Sequence, residues 1–119
     1  MVEIPQELGY DVAFIDCTKN FHKLDVNLLK ENIINFNPSI ILITNIFGQI
    51  FDMQTISKIV RETNKNILLI EDCAQVSYAY YNSENSLSDC QLFSFGVLKQ
   101  ITPGTYGALM KVSNTENGK

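Results

Sequence analysis

Two segments of the chain place apolar residues at helical spacing. The first follows Asp25, and its apolar positions are Val26, Leu29, Ile33 and Phe36. Asp25 is a typical N-cap, because its carboxylate can accept hydrogen bonds from the free N–H groups of the first helical turn. Asn-Pro-Ser at 37–39 is a turn that stops this helix near Phe36. The second segment predicts an amphipathic helix that ends near Asn64, with its apolar positions at Met53, Ile56, Ile59 and Val60.

Other segments are typical of strands. The runs Ile40–Thr44 and Ile67–Ile70 are continuously apolar, which predicts strands buried on both faces of a sheet. Shorter patterns predict further strands at 11–16, 91–95 and 106–112. The resulting order is β-α-β-α-β, followed by a loop and two strands. Such alternation predicts an α/β fold: a mostly parallel sheet with flanking helices and right-handed crossovers.

Composition narrows the class of protein. The 119 residues are enough for one domain at most. The formal charge is −4 and no basic cluster is present, so we expect no nucleic-acid binding. No apolar run approaches the roughly 20 residues of a membrane span, and the first residues do not resemble a signal peptide. Cys17, Cys73 and Cys90 are widely spaced, which favours reduced thiols in the cytoplasm over disulfides or a metal site.

Polar residues follow two of the predicted strands. Glu71 and Asp72 close the strand Ile67–Ile70, and Ser94 lies in the strand that leads to Lys99. Ligands of open α/β sheets bind beyond the carboxyl ends of the strands. We therefore expect Asp72 and Lys99 at one edge of the sheet, close enough to hold a small ligand between them. The spacing alone also allows a simpler interpretation, in which Asp72 is a loop or helix cap and Lys99 a solvated surface charge.

Several motifs resemble those of the DegT/DnrJ-type sugar aminotransferases. The run Ile70–Gln75 resembles their E-D-x-A-Q signature, and Phe93–Lys99 resembles their F-S-F-x-x-x-K. Between these, Ser-Leu-Ser-Asp at 86–89 is similar to G-S-x-G-D. Upstream, the run 47–53 is similar to Y-G-x-x-x-D-M. The resemblance covers roughly 10–112 and implies part of the large domain of a fold-type I transferase dependent on pyridoxal 5'-phosphate (PLP).

The resemblance assigns roles to four residues. Lys99 would be the catalytic lysine, which binds the cofactor aldehyde and moves a proton during the reaction. Asp72 would pair with the pyridine nitrogen of PLP and keep it protonated. Gln75 would lie near the phenolic oxygen of the cofactor, and Ser94 would donate to its phosphate. The implied reaction transfers an amino group, usually from glutamate, to a keto-sugar nucleotide. Related dehydratases carry a histidine in place of the lysine.

The chain also departs from the family pattern. Thr102–Gly107 stands where the family has a Gly-rich stretch, and it contains Pro103 and Tyr106. We expect residues 1–119 to be a single partial large domain, without the family's N-terminal Gly-Thr phosphate loop and its small C-terminal domain. Such a chain is expected to be inactive or weakly active alone. The full-length family is expected to be homodimeric.

Two other interpretations stay open at this point. A non-catalytic remnant of the family would keep the fold without the activity. A receiver-like phosphoacceptor module has a similar size and also uses an Asp at one strand end with a Lys at another. The acidic pair that such a module needs after its first strand is not evident, however. The run 73–90 also lacks the helix expected there.

Overall fold

The computed structural model describes residues 3–18, 24–76, 87–95 and 107–112. In chain order the elements are α1 (Glu3–Glu7), α2 (Val26–Phe36), β1 (Ile40–Thr44), α3 (Met53–Thr63), β2 (Leu68–Asp72), β3 (Cys90–Ser94) and β4 (Ala108–Val112). The two predicted helices and the predicted strand β1 are confirmed. The three later strands lie within one or two residues of their predicted bounds. The short helix α1 was not predicted, and it buries none of its residues.

The four strands form one sheet in the order β1-β2-β3-β4. The strands β1, β2 and β3 are parallel, and β4 runs antiparallel to β3. Helix α3 connects β1 to β2 and packs against α2. The predicted fold class, a mostly parallel α/β sheet with helices, is therefore confirmed.

Local hydrogen bonds define both ends of helix α2, near the positions that its sequence predicts. The Asp25 carboxylate accepts from the backbone N–H groups of Asn27 and Leu28 at 3.0 and 3.1 Å. At the other end, Asn37 adopts a left-handed conformation with φ of 43°, and its N–H donates to the carbonyl of Ile33. Asparagine tolerates this conformation better than most residues, so the helix ends here before Pro38.

The hydrophobic core lies on one face of the sheet. It consists of nine buried residues from α2, β1, α3, β2 and the residue before β2: Leu29, Ile33, Ile41, Ile43, Met53, Ile56, Val60, Ile67 and Leu69. Full burial of an aliphatic side chain contributes about 1.5–3 kcal/mol. This cluster is therefore the main source of stability among the described residues.

The prediction that β1 and β2 are buried on both faces is wrong. Their residues alternate, and Ile40, Leu42 and Leu68 are 39%, 44% and 42% exposed. Side chains alternate across a strand, and α2 and α3 both contribute to the cluster on the face of Ile41 and Leu69. The opposite face is therefore exposed at these three apolar residues, whereas Asp72 and Cys90 on the same face are buried.

The predicted strand at 11–16 is also wrong. These residues form no strand, and Phe14 is 73% exposed. The nearest pairing is an isolated antiparallel bridge between Cys17 and Leu24. A strand requires a neighbouring strand to take its backbone hydrogen bonds, and none of the described strands pairs with this segment. The apolar run within 11–16 therefore does not suffice to make it a strand.

An ion pair joins α3 to the beginnings of β2 and β3. The Asp89 carboxylate accepts from Arg61 Nη2 at 2.6 Å and from the backbone N–H of Leu69 at 2.7 Å. The N–H of Asp89 donates to the carbonyl of Leu69 at 2.9 Å. Arg61 Nη1 donates to the carbonyl of Ile67 at 2.6 Å. Asp89, the last residue of the G-S-x-G-D-like stretch, therefore has a structural role.

Replacing Asp89 tests this role. Asp89→Ala removes two charge-assisted hydrogen bonds, so the free energy of unfolding should fall by about 1–3 kcal/mol. Urea denaturation followed by circular dichroism measures this change. The matched control is Glu62→Ala, an exposed carboxylate of α3, which should stay within about 0.5 kcal/mol of wild type. Equal stability of the two variants would contradict the assignment.

A second carboxylate, Asp52, is the N-cap of α3. It accepts from the Thr55 hydroxyl at 2.7 Å and from the Thr55 backbone N–H at 3.2 Å. The hydrogen bond from the Thr55 side chain is the main reason that the pKa of Asp52 lies below its ordinary value. Asp52 is the aspartate of the Y-G-x-x-x-D-M-like run, and its position explains that motif residue as a helix start.

This cap predicts a pH-dependent stability. Asp52→Ala should lower the free energy of unfolding by about 1 kcal/mol at neutral pH. The folded-state pKa lies below the unfolded-state value, so the stabilisation is complete above the unfolded-state pKa and disappears as the pH falls through the folded-state pKa. The difference between wild type and variant should shrink in acid, as measured by urea denaturation across pH. Asp52→Asn, which keeps an acceptor without a titrating charge, is the control. A difference that does not change with pH would contradict this account.

Candidate functional site

The carboxyl ends of the parallel strands meet at one edge of the sheet. Thr44, the last residue of β1, lies opposite Asp72, the last residue of β2. Asp72 in turn lies opposite Leu92 in β3, and Ser94 comes two residues later. Because side chains alternate along a strand, Ser94 and Asp72 lie on the same face of the sheet. Two of the predicted site residues are therefore brought to one face and one edge.

Asp72 is 4% exposed. Its Oδ1 atom accepts a hydrogen bond from the N–H of Ala74 at 2.9 Å. Within residues 3–18, 24–76, 87–95 and 107–112, no hydrogen bond engages the second carboxylate oxygen, Oδ2. Asp72 is thus a turn cap, as the simpler interpretation predicts, and it also keeps one oxygen for a further donor.

Glu71 points to the opposite face. It is fully buried, lies opposite Ile43 in β1, and its Oε1 accepts from Asn45 Nδ2 at 2.8 Å. Asn45 is also fully buried and lies just beyond β1. Its Oδ1 accepts from the N–H of Phe51, and its own N–H donates to the carbonyl of Asp72, both at 2.9 Å. One asparagine therefore connects the ends of β1 and β2 with the loop that leads to α3.

Asn45 is a residue of this edge that its sequence context did not predict. Its signal is weak, because an asparagine after an apolar strand is ordinary in a loop. Its burial depends on Glu71 and Phe51, which are 26 and 6 residues away in sequence. Only the pairing of β1 with β2 brings these groups together.

Gln75 lies just after β2, and its side chain is exposed. Its Oε1 accepts from the backbone N–H of Phe47 at 2.9 Å. Phe47 belongs to the loop that follows β1, so Gln75 joins this loop to the turn that carries Asp72. The predicted residue Gln75 is therefore found at the same edge of the sheet as Asp72.

Lys99 lies outside the described residues, as do Pro103 and Tyr106 of the altered Gly-rich stretch. The expected proximity of Asp72 and Lys99 therefore stays a prediction. The described residues on either side of this gap are Phe95 and Gly107. The N–H of Phe95 donates to the carbonyl of Gly107 at 2.7 Å.

The arrangement at this edge fits the PLP that the sequence analysis predicts. A protonated pyridine ring needs an anionic acceptor, and Asp72 Oδ2 is one that no described donor engages. A phosphate needs hydrogen-bond donors, and Ser94 provides a half-buried hydroxyl on the same face. The side-chain amide of Gln91 is 1% exposed and unpaired within the described residues, but it lies beside Glu71 on the other face. It does not contribute to this site.

One of the three cysteines, Cys90, is unsuited to act as a nucleophile. Cys73 and Cys90 are buried, Cys17 is exposed, and none of the three forms a disulfide. Burial raises the pKa of the Cys90 thiol, and the neighbouring Asp89 carboxylate raises it further. A thiol with a raised pKa is a poor nucleophile because little thiolate is present. Across the described ranges, no group of three or more His, Cys, Asp or Glu side chains is placed to hold a metal ion.

Comparison with known proteins assigns the chain to a family. The model of the DegT/DnrJ/EryC1/StrS aminotransferase family matches residues 2–117. The chain belongs to this family. Membership of the DegT/DnrJ/EryC1/StrS family agrees with the motifs and removes the basis for the receiver-like alternative.

Two curated relatives are similar to this member of the family. One is GDP-perosamine synthase of Caulobacter vibrioides, 37% identical over 103 residues, which are 85% of this chain and 27% of that protein. The other is dTDP-3-amino-3,6-dideoxy-alpha-D-galactopyranose transaminase of Aneurinibacillus thermoaerophilus, 35% identical over 110 residues, which are 91% of this chain and 30% of that protein. The chain thus spans less than a third of the length of each relative.

The fold is similar to that of a Streptococcus pneumoniae protein named as a sugar aminotransferase and solved in its PLP form. The TM-score is 0.73 at 18% identity, and the match covers 96% of this chain and 33% of that one. This likeness supports the α/β architecture described above for this chain. In the part of the chain that the structure describes, no helix is both long enough and apolar enough to span a membrane.

Asn45 provides a test of how the edge is held together. Asn45→Ala removes a buried donor to Glu71 and a buried acceptor for Phe51, so we expect a loss of about 2–4 kcal/mol in the free energy of unfolding. Thermal and urea denaturation measure the loss. Asn35→Ala, at an exposed asparagine of α2, is the matched control and should change stability little. A loss at Asn45 no larger than at Asn35 would show that this network does not hold the edge.

Proposed function

We propose that this chain is the cofactor-binding part of a PLP-dependent transaminase that acts on a keto-sugar nucleotide. The observation that carries the proposal is the shared face and edge of Asp72 and Ser94, with one Asp72 oxygen available to a further donor. Membership of an aminotransferase family supports the cofactor. The two curated relatives carry nucleotide-linked sugars in their names, which supports the substrate class.

Each of the proposed site residues has a distinct task. Asp72 holds positive charge at the pyridine nitrogen, because its buried carboxylate is a strong acceptor. The Ser94 hydroxyl donates a hydrogen bond to a phosphate oxygen. Gln75 donates to the phenolic oxygen. Lys99 would hold the cofactor through its aldehyde carbon, with loss of water, and would carry a proton to and from the substrate carbon. When bound, PLP supplies an electron sink for the negative charge that develops on that carbon.

We further propose that the chain is catalytically weak by itself. Ile40, Leu42 and Leu68 are exposed on the sheet face that carries Asp72 and Ser94, so water reaches this face although Asp72 itself is buried. An active site open to water loses the orientation and the desolvation that accelerate group transfer. In this proposal the active enzyme is a cytoplasmic homodimer that contains a phosphate loop and a small domain besides this large-domain part. Glutamate is its amino donor.

Reductive labelling tests the proposal. After PLP is added to the purified chain and reduced with borohydride, peptide mapping should find the cofactor mass mainly on Lys99. Lys99→Arg should abolish the label, whereas the matched Lys111→Arg, at an exposed lysine of β4, should keep it. Asp72→Asn should weaken PLP binding about tenfold, because a neutral amide replaces the anionic acceptor.

Two outcomes would contradict the proposal. Label spread evenly over Lys58, Lys65 and Lys111 would indicate surface chemistry without a site. Turnover of a keto-sugar nucleotide with glutamate by this chain alone, within the range of about 1–1000 per second usual for enzymes, would contradict the proposed weakness.

A further inference from the structure

The loop between β1 and α3 contains an unusual backbone conformation. Phe47 and Gly48 both have positive φ, 57° and 75°. Glycine adopts this conformation without cost, but for a residue with a bulky side chain it costs about 1 kcal/mol or more. The Phe47 side chain is 90% exposed, so burial of the ring does not compensate for this cost. Other contacts must hold Phe47 in place.

Two hydrogen bonds hold this turn. The N–H of Gln49 donates to the carbonyl of Ile46 at 3.0 Å, which closes the turn. The N–H of Phe47 donates to Gln75 Oε1 at 2.9 Å, which attaches the turn to the segment after β2. In its left-handed conformation, Phe47 directs its backbone N–H at Gln75 Oε1.

The chemistry of this bond determines which end of the Gln75 amide is left for a ligand. A backbone N–H can only donate, so it can meet only the oxygen of the carboxamide. Rotating the amide by half a turn would bring the Nε2 donors against the Phe47 N–H and lose the bond. Nε2 has no hydrogen-bond partner among the described residues. Gln75 therefore offers two N–H donors, and no acceptor, at the edge that carries Asp72.

We propose that Phe47 is a positioning residue whose backbone N–H orients Gln75, so that Nε2 and not Oε1 faces the phenolic oxygen of the bound cofactor. This inference rests on the proposed function. An acceptor that carries negative charge is the ligand group that oriented N–H donors recognise, and the phenolic oxygen of PLP is such a group. The same bond explains the need for glutamine: a glutamate would still accept from Phe47 but would present a second carboxylate oxygen to the cofactor.

Two variants of Gln75 separate its two contacts. Gln75→Glu keeps the acceptor for Phe47 and removes the donor, and Gln75→Met removes both at similar length. Gln49→Met is the matched control, because Gln49 lies in the same loop, is exposed and has no side-chain hydrogen bond within the described residues. Three readouts are needed: hydrogen exchange at the Phe47 amide by NMR, the Kd for PLP, and the pH titration of the absorption of bound PLP.

Each variant should give a different result. In Gln75→Met, the Phe47 amide should exchange about tenfold faster, and the Kd for PLP should rise about tenfold. In Gln75→Glu, exchange at Phe47 should stay near the wild-type rate, while the Kd should rise by at least about tenfold. The pKa of the phenolic oxygen should rise in Gln75→Glu, because a donor to the ionised form is replaced by a negative charge. Gln49→Met should match wild type in all three.

Other outcomes overturn the inference. If Gln75→Met leaves exchange at Phe47 unchanged, the bond does not exist in solution. If Gln75→Glu binds PLP as tightly as wild type with an unshifted titration, Nε2 does not face the phenolic oxygen, and the proposed function can still hold. If the wild-type chain binds no PLP at all, the proposed function fails, and this inference fails with it.

Discussion

The edge of the sheet depends on the hydrogen bonds of one buried asparagine. Asn45 satisfies the carboxylate of Glu71, the N–H of Phe51 and the carbonyl of Asp72. Each of these polar groups would be costly to bury without a partner. By satisfying all three, Asn45 holds β1, β2 and the loop before α3 in one relative position. The cap of α3 at Asp52 and the turn at Phe47 lie in the same loop, so their positions depend on this network as well.

The neighbours Glu71 and Asp72 both carry a carboxylate, but the geometry of the strand gives the two carboxylates different roles. Because successive side chains point to opposite faces, Glu71 joins the buried Asn45 network while Asp72 lies on the face of Ser94. The buried carboxylate stabilises the edge, and its neighbour keeps an oxygen for a ligand. A shift of the register by one residue would exchange these environments and place the wrong carboxylate in the core.

Local signals in the sequence predicted the helices and most strands, and non-local contacts explain the failures. The bounds of α2 and α3 follow from caps at Asp25 and Asp52, which act over one helical turn. The strand predicted at 11–16 and the burial of both sheet faces depended on partners that local pattern cannot reveal. The same holds for Asn45 and for the pairing of Asp89 with Arg61, whose partners lie 26 and 28 residues away. The sequence placed Asp72 and Ser94 at strand ends, and only the register shows the face that they share.

The acidic and polar residues of the motifs are of two kinds. Asp52 and Asp89 use their carboxylates within the fold, as a helix cap and in an ion pair, so they stabilise this chain whether or not it binds a ligand. Three other groups make no hydrogen bond within the described residues: Asp72 Oδ2, the hydroxyl of Ser94 and Gln75 Nε2. Folding alone gives no reason for these groups to lie at one edge of the sheet. A non-catalytic remnant would keep the first kind for stability and would have no use for these three unpaired groups, even though Asp72 Oδ1 and Gln75 Oε1 also serve the fold. The presence of both kinds therefore favours the interpretation that this edge binds a ligand.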